Sequence, residues 1–183
     1  KMINFPGPLT LSFLTYAKNL KEQGDKARVN GHELMLHVSM EPGSTKVDPG
    51  PNVLLVRHRP EVTLKRLRWG LDQFNGFVGI NNHMGSKFTA DLASMRIVIG
   101  ELKLRGLMFL DSRTSGRTVG GKLARAENVP YAERNVFLDH DDDVEKIKSQ
   151  LKVVERVARK RGSAVAIGHP RDATLKALGE WLP

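Results

Sequence analysis

Histidine, acidic and amide side chains recur in this sequence directly after short apolar runs. The polar residues that follow these runs are Thr15 and Tyr16, then His37 and Glu41, then Asn81, Asn82 and His83, then Asp111, Ser112 and Arg113, then Asp139 and His140, then His169. Imidazoles and carboxylates bind zinc, also suit manganese, iron or cobalt, and act as acids and bases in hydrolysis. Because the chain has no cysteine, thiolate ligands, cysteine nucleophiles and disulfides are excluded. Brought together, these residues could form a metal-dependent hydrolytic site.

Each of these residues also has an ordinary structural interpretation. A single histidine at a strand end is more often a hydrogen-bonded structural residue, whereas several at equivalent ends favour a site. Asp111 and Asp139 could cap the turn or helix that follows them. The acidic run at 139–143 is interpreted as a complement to the next helix dipole, with only Asp139 facing the site. His32 and His58 are interpreted as structural or exposed.

The period of the apolar residues switches repeatedly between that of a strand and that of a helix. Strands are predicted at 8–14, 32–38, 77–80, 107–110, 135–138 and 163–168. Helices are predicted at 17–31, 64–74, 89–105, 117–129, 144–158 and 171–182. Residues 39–59 are rich in Pro and Gly and are predicted to form a long irregular loop, a candidate flap on the substrate side.

Nearly all-apolar strands that alternate with helices predict parallel strands covered by helices. We expect an α/β fold, an irregular β/α barrel in a single domain spanning 1–183, with a doubly wound sheet as the alternative. The absence of a G-x-G-x-x-G motif and of a phosphate loop disfavours the nucleotide-binding form of that alternative. In a β/α barrel the carboxyl ends of all strands lie on one face, so the polar residues should converge there.

The charge balance favours anionic partners, since 29 Lys and Arg against 20 Asp and Glu give a formal net charge of +9. Much of the excess lies at 64–70 and 152–162, where basic and apolar residues alternate at helical spacing without aromatic residues. We interpret these stretches as solvated helix faces and expect no specific nucleic-acid partner; salt-sensitive nucleic-acid binding is the least favoured hypothesis. No apolar run approaches the roughly 18 residues of a membrane span, and the chain does not start with a signal-peptide pattern. The oligomeric state is left open.

Six motifs occur in order along nearly the whole chain: "FPGPLTLSF", "GHELMLHVSMEP", "GINNHMGSKFT", "FLDSRTS", "RNVFLDHD" and "AIGHP". Together they resemble the divergent polysaccharide deacetylase family. The resemblance implies a distorted β/α barrel that removes N- or O-acetyl groups from cell-wall or chitin-like sugars with a divalent metal, zinc first. It also implies an exported protein of the bacterial envelope, in the periplasm, with a glycan as its partner.

The resemblance also implies roles for individual residues. His37 stands where related deacetylases carry the first histidine of their metal pair, and Glu41 stands where the second would be, with His83 as a rival ligand. The first strand of the family ends in an Ile-Asp-Asp motif that supplies a metal ligand and the catalytic base. That motif is expected upstream of "FPGPLTL", so we expect the barrel to lack its first strand within these residues.

Asp111 and Arg113 stand where the related deacetylases carry groups that orient the catalytic base, and His169 stands where they carry the general acid. We expect His169, held near Asp111 or Asp139, to donate a proton to the leaving amine or alkoxide. A bound metal would polarise the acetyl carbonyl and activate water.

Substrate binding is predicted for Asn81, Asn82, Ser86 and Arg113, through hydrogen bonds to the oxyanion or to sugar hydroxyls. The alternative is a non-catalytic glycan-binding or envelope scaffold protein that keeps a deacetylase-like fold.

Overall fold

The computed structural model describes residues 1–182 and contains parallel strands covered by helices. The strands are β1 (Thr10–Leu14), β2 (Glu33–Met40), β3 (Gly79–Met84), β4 (Met108–Asp111), β5 (Tyr131–Glu133), β6 (Val136–Phe137) and β7 (Ala166–Ile167). The helices are α1 (Leu20–Val29), α2 (Pro60–Leu71), α3 (Leu92–Arg105), α4 (Gly120–Ala126), α5 (Val144–Arg161) and α6 (Asp172–Trp181). Two short 3-10 turns, Met2–Asn4 and Phe88–Ala90, complete the regular structure of these residues.

The strands form an incomplete ring in which every pairing is parallel. A five-stranded sheet has the order β1-β2-β3-β4-β5, and β6 pairs with β7 in a second sheet. The chain passes between the sheets at Arg134, whose N–H donates to Asp111 O at 2.9 Å, and Asn135, whose N–H donates to Val165 O at 2.8 Å. β5 and β6 are thus successive halves of one bent strand. Within residues 1–182, β1 and β7 each pair with another strand on one side only, so the ring is incomplete. The predicted α/β fold, an irregular β/α barrel, is confirmed.

Successive side chains of each strand point alternately towards the helices and towards the interior of the ring. Leu34, Leu36, Val38 and Met40 of β2 point into the main core between sheet and helices. A smaller core fills the space between β6, β7, α5 and α6, and its buried members are Val136, Leu138, Ile147, Leu151, Val154, Ala177 and Leu178. The assignment of 1–183 to one domain stays a prediction.

The helices begin and end at residues suited to those positions. Asp91 accepts from the Ser94 N–H at 2.8 Å at the start of α3, and Asp143 accepts from the Lys146 N–H at 2.9 Å at the start of α5. The same two helices end at Gly106 and Gly162, which have φ values of 66° and 83° that glycine adopts readily. Among the described residues, no helix is both long enough and apolar enough to cross a membrane.

Two elements differ most from the sequence prediction. β5 was not predicted, because three residues of mixed character after a proline carry no clear alternation. α2 begins at Pro60, four residues before the first leucine of its apolar stripe, since proline is favoured in the first turn. The predicted loop is confirmed after Met40, and Leu54 anchors it by being completely buried. The role of this loop as a flap on the substrate side stays a prediction.

Substitution of Gly79 by alanine should destabilise the protein, because a Cβ there would clash with the backbone carbonyl and the side chain of Met108 on the neighbouring strand. We expect the free energy of unfolding in urea to fall by roughly 1–3 kcal/mol. The matched control is Gly100→Ala inside α3, where nothing lies within 4 Å of the added Cβ. That change should raise stability by up to about 1 kcal/mol. Equal stabilities of the two variants would contradict the close approach of β3 and β4.

Candidate functional site

The candidate site is built on the pairing of β2 with β3. In the parallel register, His37 lies opposite Asn81 and Ser39 lies opposite His83. Val38 and Met40 of β2 point into the main core. Since side chains alternate along a strand, His37 and Ser39 face the interior of the ring, and their partners on β3 face the same way. The pattern thus brings two histidines from separate strands to one surface near the carboxyl ends of both strands.

The two imidazoles are in contact. His37 Nε2 lies 3.1 Å from His83 Nδ1, and the ring centroids are 4.9 Å apart. On its other side, His37 Nδ1 lies 2.9 Å from Asn81 Oδ1. Since an amide oxygen only accepts, His37 donates from Nδ1 and its Nε2 carries the lone pair that faces His83. The predicted convergence of His37 with His83 is confirmed.

Both imidazoles are neutral at neutral pH. Burial lowers the pKa of His37 to about 4; the charges of His83 and His169 act in the same direction, against the hydrogen bond to Asn81. Burial and the charge of His169 also lower the pKa of His83. Neutral imidazoles keep the lone pairs that metal binding requires. The influence of His169 on the pKa of both groups indicates that it lies near them.

His169 forms a dyad with a buried carboxylate. Its Nδ1 lies 3.0 Å from Asp139 Oδ1, and its backbone N–H donates to Asp139 Oδ2 at 2.6 Å. The Thr174 hydroxyl also donates to Oδ2, at 3.0 Å, and Arg171 donates to the Asp139 carbonyl at 2.8 Å. The side chain of His169 is 50% exposed whereas that of Asp139 is fully buried, so the ring is anchored on one side and open on the other.

These contacts keep Asp139 ionised despite its burial. Burial alone would raise the pKa of Asp139, but hydrogen bonds from the His169 backbone, the His169 ring and Thr174 outweigh it and hold the pKa below its ordinary value. A carboxylate in this position favours the tautomer of His169 that donates from Nδ1. Of the two carboxylates considered from the sequence, Asp139 is the one that contacts His169.

Asp111 serves a different purpose. It is fully buried on the helix side of β4, where Oδ1 accepts from the Arg113 N–H at 2.8 Å and Oδ2 accepts from the Thr118 hydroxyl at 2.6 Å. Asp111, the last residue of β4, is therefore bonded to the turn after that strand and does not contact His169; its predicted catalytic role stays a prediction. Arg113 has a left-handed φ of 52°, and its side chain is 37% exposed, 3.6 Å from Glu133. Its contact with substrate stays a prediction.

Three predicted substrate ligands are instead engaged within the protein. Asn81 and Asn82 are buried; the Asn81 amide donates to Ser112 Oγ at 3.4 Å, and Asn82 Oδ1 accepts from the Ser112 N–H at 2.8 Å. Ser86 Oγ accepts from the Gly43 N–H at 2.8 Å. The two amides join β3 to the turn after β4, and Ser86 holds the loop. Each group thus has a structural role, and its predicted hydrogen bond to the substrate stays a prediction.

Glu41 also anchors the loop. Its Oε1 lies 2.6 Å from Lys87 Nζ, and its Oε2 accepts from the Val56 N–H at 2.7 Å. Within residues 1–182 there is no cluster of three or more His, Asp or Glu side chains that could hold a metal ion. The structure therefore brings His37 and His83 together but does not add Glu41 to them as a third ligand.

The histidine pair nevertheless fits two positions of a metal centre. The two rings lie side by side, and the Nε2 lone pair of His37 is directed at the His83 ring, 3.1 Å from its Nδ1, so one ion can contact an imidazole nitrogen from each strand. The contact of His37 Nδ1 with Asn81 is the kind of second hydrogen bond that orients ligating histidines. Zinc or a similar divalent ion is therefore compatible with these side chains.

Sequence reasoning missed several residues that support the site. Thr174 and Arg171 fix Asp139 from the start of α6, and their closeness to His169 in the chain was the available signal. Ser39 was detectable from its spacing two residues after His37, which puts both on the same face of a strand. Its Oγ is the one buried side-chain nitrogen or oxygen without a hydrogen-bond partner among the residues that the structure describes.

Comparison with known proteins identifies relatives across the whole chain. A family model described as "Divergent polysaccharide deacetylase" matches residues 1–183. An uncharacterized protein of Haemophilus influenzae is 33% identical over 174 residues, covering 94% of this chain and 61% of that relative. The uncharacterized protein YibQ of Escherichia coli K12 is 34% identical over 182 residues, covering 100% of this chain and 57% of YibQ. The chain thus spans about three fifths of the length of these curated relatives.

A solved structure shares the fold. The crystal structure of the uncharacterized protein ATU2773 from Agrobacterium tumefaciens C58 matches with a TM-score of 0.94 and 30% sequence identity. The match covers 97% of this chain and 73% of that chain. It supports the arrangement of strands and helices that positions the three histidines.

The depressed pKa of His37 should make stability fall in mild acid. Between its ordinary value of 6.5 and the folded value of about 4, the unfolded chain binds a proton that the folded chain does not. The free energy of unfolding of metal-free protein should therefore decrease as the pH falls through this range, by up to about 3 kcal/mol from this group. In His37→Gln the decrease should be smaller by that amount, measured by urea unfolding with chelator. Identical pH profiles would contradict a buried neutral His37.

Replacement of Asp139 by asparagine should destabilise the protein most at neutral pH. A group whose folded pKa is depressed contributes stability above its unfolded pKa and loses it as the pH falls. We expect a loss of roughly 1–3 kcal/mol at pH 7 in Asp139→Asn, with the difference from wild type shrinking below about pH 4. Urea unfolding at both pH values measures this. A difference that grows in acid would show that Asp139 is not held as a carboxylate.

Proposed function

The chain belongs to the divergent polysaccharide deacetylase family, and on that premise we propose a metal-dependent hydrolase that removes acetyl groups from a cell-envelope polysaccharide or related glycan. The observation that carries the proposal is the contact of His37 on β2 with His83 on β3, with His169, from the segment after β7, near enough for its charge to lower the pKa of both imidazoles. The His169 ring is backed by the buried carboxylate of Asp139. Both N- and O-acetyl groups fit this chemistry.

We propose that His37 and His83 hold the metal, with zinc as the first choice. When bound, such an ion polarises an acetyl carbonyl and increases the reactivity of water. Asn81 keeps the lone pair of His37 Nε2 directed into the site by accepting from Nδ1 at 2.9 Å. The low pKa values of both imidazoles keep those lone pairs free at neutral pH.

His169 is the proposed general acid. Asp139 accepts the Nδ1–H of the ring, so the exposed nitrogen Nε2 is the one that exchanges a proton with the substrate. After water has added to the acetyl carbon, donation of that proton to the sugar nitrogen or oxygen lets the bond between the two break, so that the deacetylated sugar and acetate are released; the donation contributes roughly a hundred- to ten-thousandfold in rate. Thr174 and Arg171 act through Asp139 and hold the dyad in place.

The proposed base is a carboxylate of the Ile-Asp-Asp motif that the family resemblance places ahead of the first residues of this chain. Asp111 and Glu41 are engaged in turn and loop contacts, which disfavours either as the base. Arg113, partly exposed, is the proposed substrate contact. The net charge of +9 suits an acidic polymer, and we propose a location in the periplasm or elsewhere in the bacterial envelope.

A glycan-binding or scaffold protein without catalysis is the second candidate. The observation that favours it is that the described residues hold two adjacent histidines and no cluster of three or more side chains that could hold a metal ion. The same mouth could then bind acetylated sugars without hydrolysing them. Retention of glycan binding in the presence of a chelator, without acetate release, would support this candidate.

Acetate release from acetylated oligosaccharides by the zinc-loaded, full-length protein tests the proposal. His169→Ala should lower kcat by a factor of about 10²–10⁴ with little change in KM, whereas His37→Ala and His83→Ala should lose both metal and activity. His58→Gln, in the loop at 39–59, serves as the control that retains activity. Absence of both metal uptake and acetate release in the wild type would refute the hydrolase.

A further inference from the structure

The Ser39 hydroxyl stands out in the wall of the candidate site. Ser39 is 1% exposed, and its Oγ has no hydrogen-bond partner within residues 1–182. Native proteins rarely leave a buried hydroxyl without a hydrogen-bond partner, because an unpaired polar group is costly to bury. The serine at this position therefore points to a partner that the described contacts do not include.

The register of β2 and β3 indicates which group that partner is. Each histidine of the pair lies opposite a polar residue on the neighbouring strand: His37 opposite Asn81, and His83 opposite Ser39. The first cross-strand pair is bonded through Nδ1 of the imidazole at 2.9 Å, while the second pair has no bond. Because paired strands lie about 4.8 Å apart, the Ser39 hydroxyl and the His83 ring are cross-strand neighbours on the same face of the sheet.

The existing contact of His83 cannot persist when a metal is bound. His37 donates Nδ1–H to Asn81, so its Nε2 is an acceptor, and His83 must donate its own Nδ1–H across the 3.1 Å contact. A metal ion on His37 requires the same Nε2 lone pair. The Nδ1–H of His83 then loses its acceptor, while Ser39 Oγ still lacks a donor.

We propose that Ser39 is a positioning residue for His83, as Asn81 is for His37. With metal present, the His83 ring turns, donates Nδ1–H to Ser39 Oγ and presents Nε2 beside Nε2 of His37. Each ligating imidazole then has an oxygen partner from the neighbouring strand, the arrangement that fixes tautomer and ring orientation at metal centres. This inference rests on the proposed metal-dependent function and adds a residue to its site.

The experiment measures zinc affinity and imidazole tautomers in full-length protein, by calorimetry and by long-range ¹H–¹⁵N NMR of the histidine rings. In wild type with zinc, His83 should be protonated at Nδ1 and ligated at Nε2, whereas without zinc its Nδ1–H should face His37. Ser39→Ala should weaken zinc binding about 10- to 100-fold and remove the Nδ1–H···O signature. Ser39→Thr, which keeps the hydroxyl, should restore both.

Two controls separate the possible failures. Ser12→Ala, on the exposed part of β1, should leave zinc affinity unchanged, and metal-free Ser39→Ala should be at least as stable as wild type, because no existing bond is lost. Wild-type zinc affinity in Ser39→Ala, ligation of His83 through Nδ1, or reduced stability of the metal-free variant would each overturn the role of Ser39. A wild type that binds no zinc, with His37→Ala behaving identically, would instead overturn the proposed metal site.

Discussion

The in-register parallel pairing of β2 with β3 is the constraint on which the candidate site depends. It sets His37 against Asn81 and Ser39 against His83 and directs all four side chains into the ring. Successive side chains of a strand point to opposite faces, so a slip of one residue would turn one strand's pair towards the helices. Gly79 supports this register by allowing β3 to lie close to Met108 at the base of the site.

Buried polar groups at the carboxyl ends of the strands hold this arrangement together. Asn81 and Asn82 join β3 to the turn at Ser112, while Asp139 collects hydrogen bonds from His169 and Thr174. Polar groups are costly to bury unless they are paired, and fully paired networks make a region rigid. The imidazoles are therefore presented by strands whose ends are cross-linked, which suits a site that must keep its geometry during a reaction.

The sequence was sufficient to predict the alternation of strands and helices, the parallel sheet and the convergence of histidines at one face. It was not sufficient to choose between Asp111 and Asp139, because strands that are apolar on both faces give no sign of which way the next residue points. Asp111 follows the inward Leu110 and so faces the helices. Glu41 could not be placed either, since its partner Lys87 lies 46 residues away in the chain. The short β5 lacked the length that makes a strand recognisable.

The bent strand formed by β5 and β6 joins the two halves of the candidate site. His37 and His83 belong to the five-stranded sheet, whereas Asp139 and His169 follow the strands of the two-stranded sheet. At the bend, the Arg134 guanidinium donates to the carbonyls of Ser112 and Arg113 and lies 5.3 Å from the centre of the Phe137 ring. The separation of His169 from His37 and His83 therefore depends in part on the geometry of this bend. Substitutions at Arg134 or Phe137 would shift the two clusters of side chains relative to each other without rebuilding either one.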